Sequence, residues 1–311
     1  MKPSISVIMV DGGFRENLWT VHSWMNQSLA SSNYELIWVD YTDKVPAELE
    51  QYSNCRTICL GKTDSPQKLS YCFNEGIRQA KGDIIVIPDA DQVCEHNFLE
   101  LIFNDINVDP NLVLYILRLD QPENFKSDNR DITSLKKTCS LKNTFNYGGC
   151  LAVHKKWLIE MNGYEQLPFF AGYHYNGVDN YLRFKNMGLK IKWHPEARLY
   201  HPWHPLPTEE SLSTVDDQEE FVKYRSVSWD WMAFDGIDKD KNRIYQDQKN
   251  ISGWPKILTE RGAYYVQQPD TDSAFIKINR YIVNYGFAKG VILGIIALFL
   301  RFMKINILIQ K

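Results

Sequence analysis

The sequence predicts an α/β fold with a mainly parallel central sheet and helices on both faces. Strand-length apolar runs alternate with amphipathic stretches, turn residues punctuate them, and acidic residues stand at the ends of two of the runs. Residues 5–10 form a short apolar run closed by Asp11-Gly12-Gly13, as in a buried strand meeting a turn. Leu18, Val21, Trp24 and Met25 then recur at helical spacing. Residues 35–40 and 56–60 read as strands, 68–80 as a helix and 83–88 as a fourth strand. Such alternation requires crossover connections and hence parallel pairing.

Further along, 96–108 reads as a helix and 112–119 as a strand, followed by a long polar loop over 120–146. The run 147–153 predicts another strand, and 155–162 a helix ended by Gly163. A turn-rich stretch, 169–177, leads to a helix opening at Val178 and running to Met187. Two short strands are expected at 190–194 and 198–201, and a helix at 209–222. Ligands of open α/β sheets bind beyond the carboxyl ends of the strands. Asp40 ends the second strand there, and Asp89-Ala90-Asp91 follows the fourth.

Composition narrows the classes. The chain has 311 residues, 44% hydrophobic and 23% charged, which is globular and not disordered. Aromatic residues make up 13%, including 9 Trp, and suit both cores and sugar-stacking platforms. The formal net charge of −3 gives no general attraction to nucleic acid. Cys55, Cys59, Cys72, Cys94, Cys139 and Cys150 contain no C-x-x-C pair and read as thiols. The amino terminus lacks a signal-peptide pattern, so a cytoplasmic location is expected.

Two carboxylates one residue apart at a strand end are suited to a divalent cation and a diphosphate, because hard cations prefer oxygen ligands. The bland alternative is a solvated turn. Asp179 near a helix start is either a cap or a group projecting into a site. Absence of G-x-G-x-x-G after the first strand and of a Walker lysine excludes dinucleotide dehydrogenases and P-loop NTPases. Asp238, Asp240 and Asn242 open like a calcium loop, but Arg243 and Lys249 stand where glycine and glutamate are required.

Together, the apolar first strand, Asp40, residues 74–83 (Asn-Glu-Gly-Ile-Arg-Gln-Ala-Lys-Gly-Asp), the Asp89-x-Asp91 triplet, Gly148-Gly149, the helix start at Asp179 and His201 resemble family 2 glycosyltransferases. The likeness is to their chondroitin-polymerase and galactosyltransferase-like branch, over about residues 4–205. It implies a GT-A (Rossmann-like) fold, a nucleotide-sugar donor, UDP-linked, and a Mn²⁺ or Mg²⁺ ion. By the same resemblance Asp91 and His201 are metal ligands, with His204 as the alternative to His201. Asp40, Asp89 and Asp91 bind donor, Gly149 and Asn180 bind acceptor, and Asp179 is the base of an inverting transfer. Trp157, Trp193 and Trp203 lie near these motifs in sequence and are candidates either to stack on acceptor sugars, Trp203 foremost, or to pack in the core. The chain departs from the family pattern at Asp11-Gly12-Gly13-Phe14, at Tyr41 and at Val178, where a glutamate is usual. A nucleotidyltransferase and a silent glycan-binding protein are the rival readings.

The expected organisation is a catalytic domain over 1–205, with a nucleotide-sugar half (1–120) and an acceptor half (121–205). An extension without a recognised motif covers 206–272, and an apolar, basic helical tail covers 273–311. After Asp272 there are six Lys and Arg and no acidic residue; set against a total of −3, this leaves −9 on residues 1–272. The uncharged run 290–300 is too short for a span, which needs about 20 residues. It is expected to lie in the inner membrane surface, peripheral and close to a glycan or lipid-linked glycan acceptor.

Overall fold

The computed structural model describes residues 2–11, 19–40, 47–61, 69–125, 131–171, 175–204, 215–228 and 230–245. An eight-stranded sheet runs through them in the order β3-β2-β1-β4-β7-β6-β8-β5. Its strands are β1 (Ile5–Asp11), β2 (Tyr34–Asp40), β3 (Cys55–Cys59), β4 (Ile84–Pro88), β5 (Val93–Cys94), β6 (Leu112–Asp120), β7 (Cys150–His154) and β8 (Lys190–His201). The helices are α1 (Val21–Met25), α2 (Leu69–Gln79), α3 (Phe98–Val108), α4 (Ile132–Thr138), α5 (Lys155–Glu160), α6 (Asn176–Asn186) and α7 (Val215–Ser228).

Pairing is parallel from β3 through β4, as the alternating pattern predicts. Beyond β4, three of the four pairings are antiparallel, so the sheet is mainly parallel as expected, with four of its seven pairings parallel, but mixed in its second half. The physical reason is β7, which enters reversed between β4 and β6. Because two reversals cancel, β6 and β8 again run with β4, and all three end at the same edge as β1 and β2.

Neighbouring strand residues face opposite cores, as the two-residue period requires. Ile5, Val7, Met9, Leu36, Trp38, Val86 and Leu114 join Phe98, Leu99, Ile102 and Ile106 of α3 on one side. Ile8, Val10, Ile37, Val39, Ile85 and Tyr115 join Cys72 and Ile77 of α2, Leu158 of α5 and Phe184 of α6 on the other. Gly76 lets α2 approach β1 closely, since a Cβ there would lie 2.4 Å from the Ile8 side chain.

Several boundaries differ from the sequence pattern. The two short strands expected near 190–201 are one strand interrupted by a bulge opposite Ile116. Pro195 cannot donate to the ladder, and His194 Nδ1 accepts instead from the N–H groups of Glu196 (3.1 Å) and Ala197 (2.9 Å). Within 120–146, α4 is capped by Asp131, and Asp120 bridges Ser140. α6 opens at Asn176, two residues before the expected start. Residues 215–245 are packed on the sheet domain: Phe221, Val222 and Phe234 close a cluster with Leu182 of α6 and Phe170. The expected first turn, Gly12–Phe14, and the tail at 273–311 lie outside the described residues. Among the described residues no helix is long and apolar enough to cross a membrane.

At the amino edge of the sheet, Glu35 ties four strands' ends together. Its carboxylate accepts from Ser6 Oγ (2.6 Å), Lys81 N–H (2.7 Å) and Arg56 Nε (3.0 Å). Burial raises its pKa, but these donors outweigh burial and hold it below the ordinary value. A depressed folded-state pKa contributes stability that is present above the unfolded pKa and is lost as pH falls through the folded one. Glu35→Gln therefore lowers stability by about 1–3 kcal/mol at pH 7, the range for hydrogen bonds to a charged group. In urea denaturation the gap to the parent narrows below about pH 4, where the parent's carboxylate also protonates. An equal gap at pH 7 and pH 3 contradicts this assignment.

Candidate functional site

The shared carboxyl edge gathers the acidic residues and histidines from separate strands. Asp40 ends β2, Asp89 and Asp91 follow β4, Asp120 ends β6, and His201 ends β8. Thr20 Oγ1 donates to the Ala90 carbonyl (2.7 Å) and Trp24 Nε1 to the Gln92 carbonyl (2.8 Å), holding the Asp89–Asp91 turn against α1. Val93 of β5 then pairs with Tyr200 of β8, which carries Asp91 to the end of β8.

There Asp91 Oδ2 lies 3.1 Å from His201 Nε2 and 3.0 Å from His204 Nε2, and the two imidazole nitrogens are 3.2 Å apart. The sequence left His201 and His204 as alternatives, and the structure brings in both. One atom from each of Asp91, His201 and His204 fits within 4.8 Å, close enough to share one cation. A carboxylate with two imidazoles is a donor set suited to a divalent first-row ion. Burial lowers the His201 pKa, but hydrogen bonds to Asp120 and Asp91 reverse this and push it up to about 9.

Asp89 is differently placed. Its Oδ2 accepts from Gln92 Nε2 (2.8 Å) and Arg118 (3.3 Å). Arg118 also meets Asp120 Oδ1 at 3.0 Å, and Asp120 Oδ1 accepts from His201 Nδ1 at 2.9 Å. Arg118, Asp120, Gln92 and Gln121 were not singled out from sequence. A signal existed: Arg118 and Asp120 are polar residues two apart at the end of an apolar strand, following Leu114 and Ile116 in the same alternation.

The remaining expected residues scatter. Asp40 is 1% exposed at the end of β2, in register with Asp11. The Gly149 carbonyl accepts from the Asp89 N–H (3.4 Å), so this backbone adjoins the acidic turn. Trp203 is half-buried between the two histidines, its N–H donating to Gln121 Oε1 (3.1 Å). Trp193 packs on Tyr115 and Tyr147 in the core. Asn180 is 1% exposed and lies beside Arg183, not on an acceptor surface.

Asp179 requires a correction. It is 1% exposed, and its two oxygens accept from Arg183 (3.3 Å) and Arg225 Nε (3.1 Å). Arg225 also pairs with Glu165 (2.8 Å) and Asp230 (3.3 Å), while Arg183 donates to the carbonyls of Met161 and Trp231. This is a buried ion-pair network locking α6 to α7, where a carboxylate compensates two desolvated guanidinium groups. It is not the position of a side chain open to an acceptor hydroxyl.

A cation entering between Asp91, His201 and His204 must displace the His201 proton, because only neutral imidazole ligates. Divalent-ion affinity measured by calorimetry therefore rises roughly tenfold per unit from pH 6 to 8, with about one proton released. Affinity independent of pH over that interval contradicts the site.

Residues 18–161 match Glycosyl transferase family 2, a stretch that holds Asp40, Asp89, Asp91 and Asp120 but ends before both histidines. A curated relative from Methanococcus voltae, dolichyl N-acetyl-alpha-D-glucosaminyl phosphate 3-beta-D-2,3-diacetamido-2,3-dideoxy-beta-D-glucuronosyltransferase, is 36% identical over 85 residues. That match covers 26% of this chain and 26% of the relative. The crystal structure of GalNAc-T7 with UDP, GalNAc and Mn2+ superposes with a TM-score of 0.55 at 14% identity, over 86% of this chain and 57% of that one. This likeness is one of fold. The described residues thus share the GT-A fold, and residues 18–161 carry the likeness in sequence to the family 2 glycosyltransferases.

Proposed function

We propose that the chain transfers a hexose or N-acetylhexosamine from a UDP-sugar to a hydroxyl of a glycan or lipid-linked glycan, in surface polysaccharide synthesis. The observation that carries this reading is the convergence of Asp91, His201 and His204 beside Asp89 at the carboxyl edge of the sheet. Ligands of such sheets enter there. The GalNAc-T7 structure holds UDP and Mn2+, and the name of the Methanococcus relative specifies a dolichyl-phosphate-linked acceptor. The first supports a nucleotide-sugar donor and the second a lipid-linked acceptor.

Asp91, His201 and His204 would hold the ion, and the two imidazole nitrogens favour Mn²⁺ over Mg²⁺, which prefers oxygen ligands. When bound, that ion supplies positive charge for the departing diphosphate. Asp89, fixed by Gln92 and Arg118, would accept from the donor's ribose, and Asp40 from its base. Trp203, next to the histidines, offers an aromatic face to the acceptor. The expectation of inversion rests on Asp179 as the base, and the burial of Asp179 between two guanidinium groups removes that support.

The test is a screen of UDP-, GDP- and dTDP-sugars for Mn²⁺-dependent donor hydrolysis. Hydrolysis of a UDP-sugar is expected, and Asp91→Ala lowers it by at least about 100-fold, the scale of several kcal/mol of lost charge stabilisation. Release of pyrophosphate from UTP would instead identify a nucleotidyltransferase.

The location proposed is peripheral, at the inner face of the cell membrane through residues 273–311, on the strength of their apolar and basic composition. In flotation with anionic liposomes at low salt, the full chain is expected to float with the lipid. Full-length protein left in the soluble fraction ends the anchoring proposal.

A further inference from the structure

Asp120 and Arg118 stand two residues apart at the end of β6 and reach the ion site only through other side chains. Asp120 Oδ1 accepts from His201 Nδ1 at 2.9 Å, on the opposite side of the ring from Asp91 and His204. Arg118 meets Asp120 Oδ1 at 3.0 Å and Asp89 Oδ2 at 3.3 Å. Asp120 is 8% exposed, so its charge is little screened by water and its geometry is constrained on both sides. A continuous polar path thus runs from Asp89 through Arg118, Asp120 and His201 to Asp91.

An imidazole can present either nitrogen to an ion, and the hydrogen bond at one nitrogen decides which. With its proton on Nδ1 directed to Asp120, His201 has only Nε2 left for ligation, and Nε2 is the atom beside Asp91 and His204. A neutral acceptor would orient the ring less firmly and leave it less basic. Arg118 in turn pairs with the Asp120 carboxylate and with Asp89. The next residue, Gln121, accepts from Trp203 N–H at 3.1 Å and so steadies the turn that carries His204.

We infer that Asp120 is a positioning residue, held by Arg118, that fixes the tautomer and orientation of His201 and thereby sets the affinity for the ion. The inference rests on the metal-site reading above, but its central contact exists in the metal-free chain and can be observed there. Second-layer carboxylates of this kind are worth about 10- to 100-fold in metal affinity.

The experiment compares the parent with Asp120→Asn and Asp120→Leu, using Mn²⁺ calorimetry and nitrogen-15 NMR of His201. In the metal-free parent, the His201 Nδ1 proton is expected far downfield, as for a hydrogen bond to a carboxylate. With Zn²⁺ as diamagnetic probe, Nδ1 keeps its proton and Nε2 is the bonded nitrogen. Asp120→Leu abolishes the downfield signal and, once affinity is corrected for the proton released on binding, weakens Mn²⁺ about 10- to 100-fold. Asp120→Asn, which retains an acceptor oxygen and is the milder change for folding, moves the signal upfield and weakens Mn²⁺ several-fold. If the parent binds Mn²⁺ and Asp120→Asn matches it in both affinity and His201 shifts, the positioning role is overturned while the metal site stands. A parent that shows the downfield proton but binds no Mn²⁺ removes the metal site and the positioning role with it.

Discussion

The pairing of Val93 with Tyr200 and of Cys94 with Leu199 is a contact of two residues, yet the site depends on it. Asp91 lies two positions before β5, and His201 is the last residue of β8. Without that short antiparallel pairing, the acidic turn after β4 and the end of β8 would be separated by β7 and β6. Backbone hydrogen bonds from Gln27 and Trp24 side chains, together with packing of Phe98 and Leu99, hold the chain between Asp91 and α3 in place. The candidate ion site is thus anchored at the sheet edge, with His201 on β8 and with Asp91 and His204 within three residues of paired strands, which positions ligand atoms more accurately than free loops do.

The charged residues around that site are explained by one another. Asp91 is buried and faces two imidazoles, one of which holds its proton firmly while Asp91 and Asp120 flank it. Arg118 compensates both Asp89 and Asp120. In the absence of an ion, protonated His201 and Arg118 set two positive charges against the three carboxylates, which leaves a net negative charge for an incoming cation. Exchange of that proton for a divalent ion alters the charge without requiring the backbone to move.

The second buried charge cluster has a different task. Arg183, Arg225, Asp179 and Glu165 are almost wholly withdrawn from water, and their mutual pairing offsets a large desolvation cost. They join α6, the turn at Glu165 and α7, and Glu165 also accepts from the N–H groups of Phe234 and Asp235. Helix α7 and residues 230–245 are therefore part of the sheet domain's structural frame. Removing one partner would leave an uncompensated charge in the interior, which makes this network a determinant of specific packing as well as of stability.

Periodicity was enough to place β1 through β4, because a parallel sheet covered on both faces imposes continuous apolar runs punctuated by helices. The acidic triplet was legible too, since a strand end in such a sheet faces the ligand, and the family resemblance singled out His201. What the local pattern did not contain was direction and distance. Whether β7 lies parallel or antiparallel leaves no mark on the alternation of residues 150–154, so the mixed second half of the sheet escaped it. Asp179 shows the same limit: a carboxylate at a helix start looks alike whether it faces an acceptor or two arginines, one of them 46 residues away in α7. The sequence by itself determined the fold class and the chemistry available at one edge of the sheet. Only the tertiary structure decided which carboxylates meet histidine and which meet arginine, because those partners are chosen by long-range packing and not by spacing along the chain.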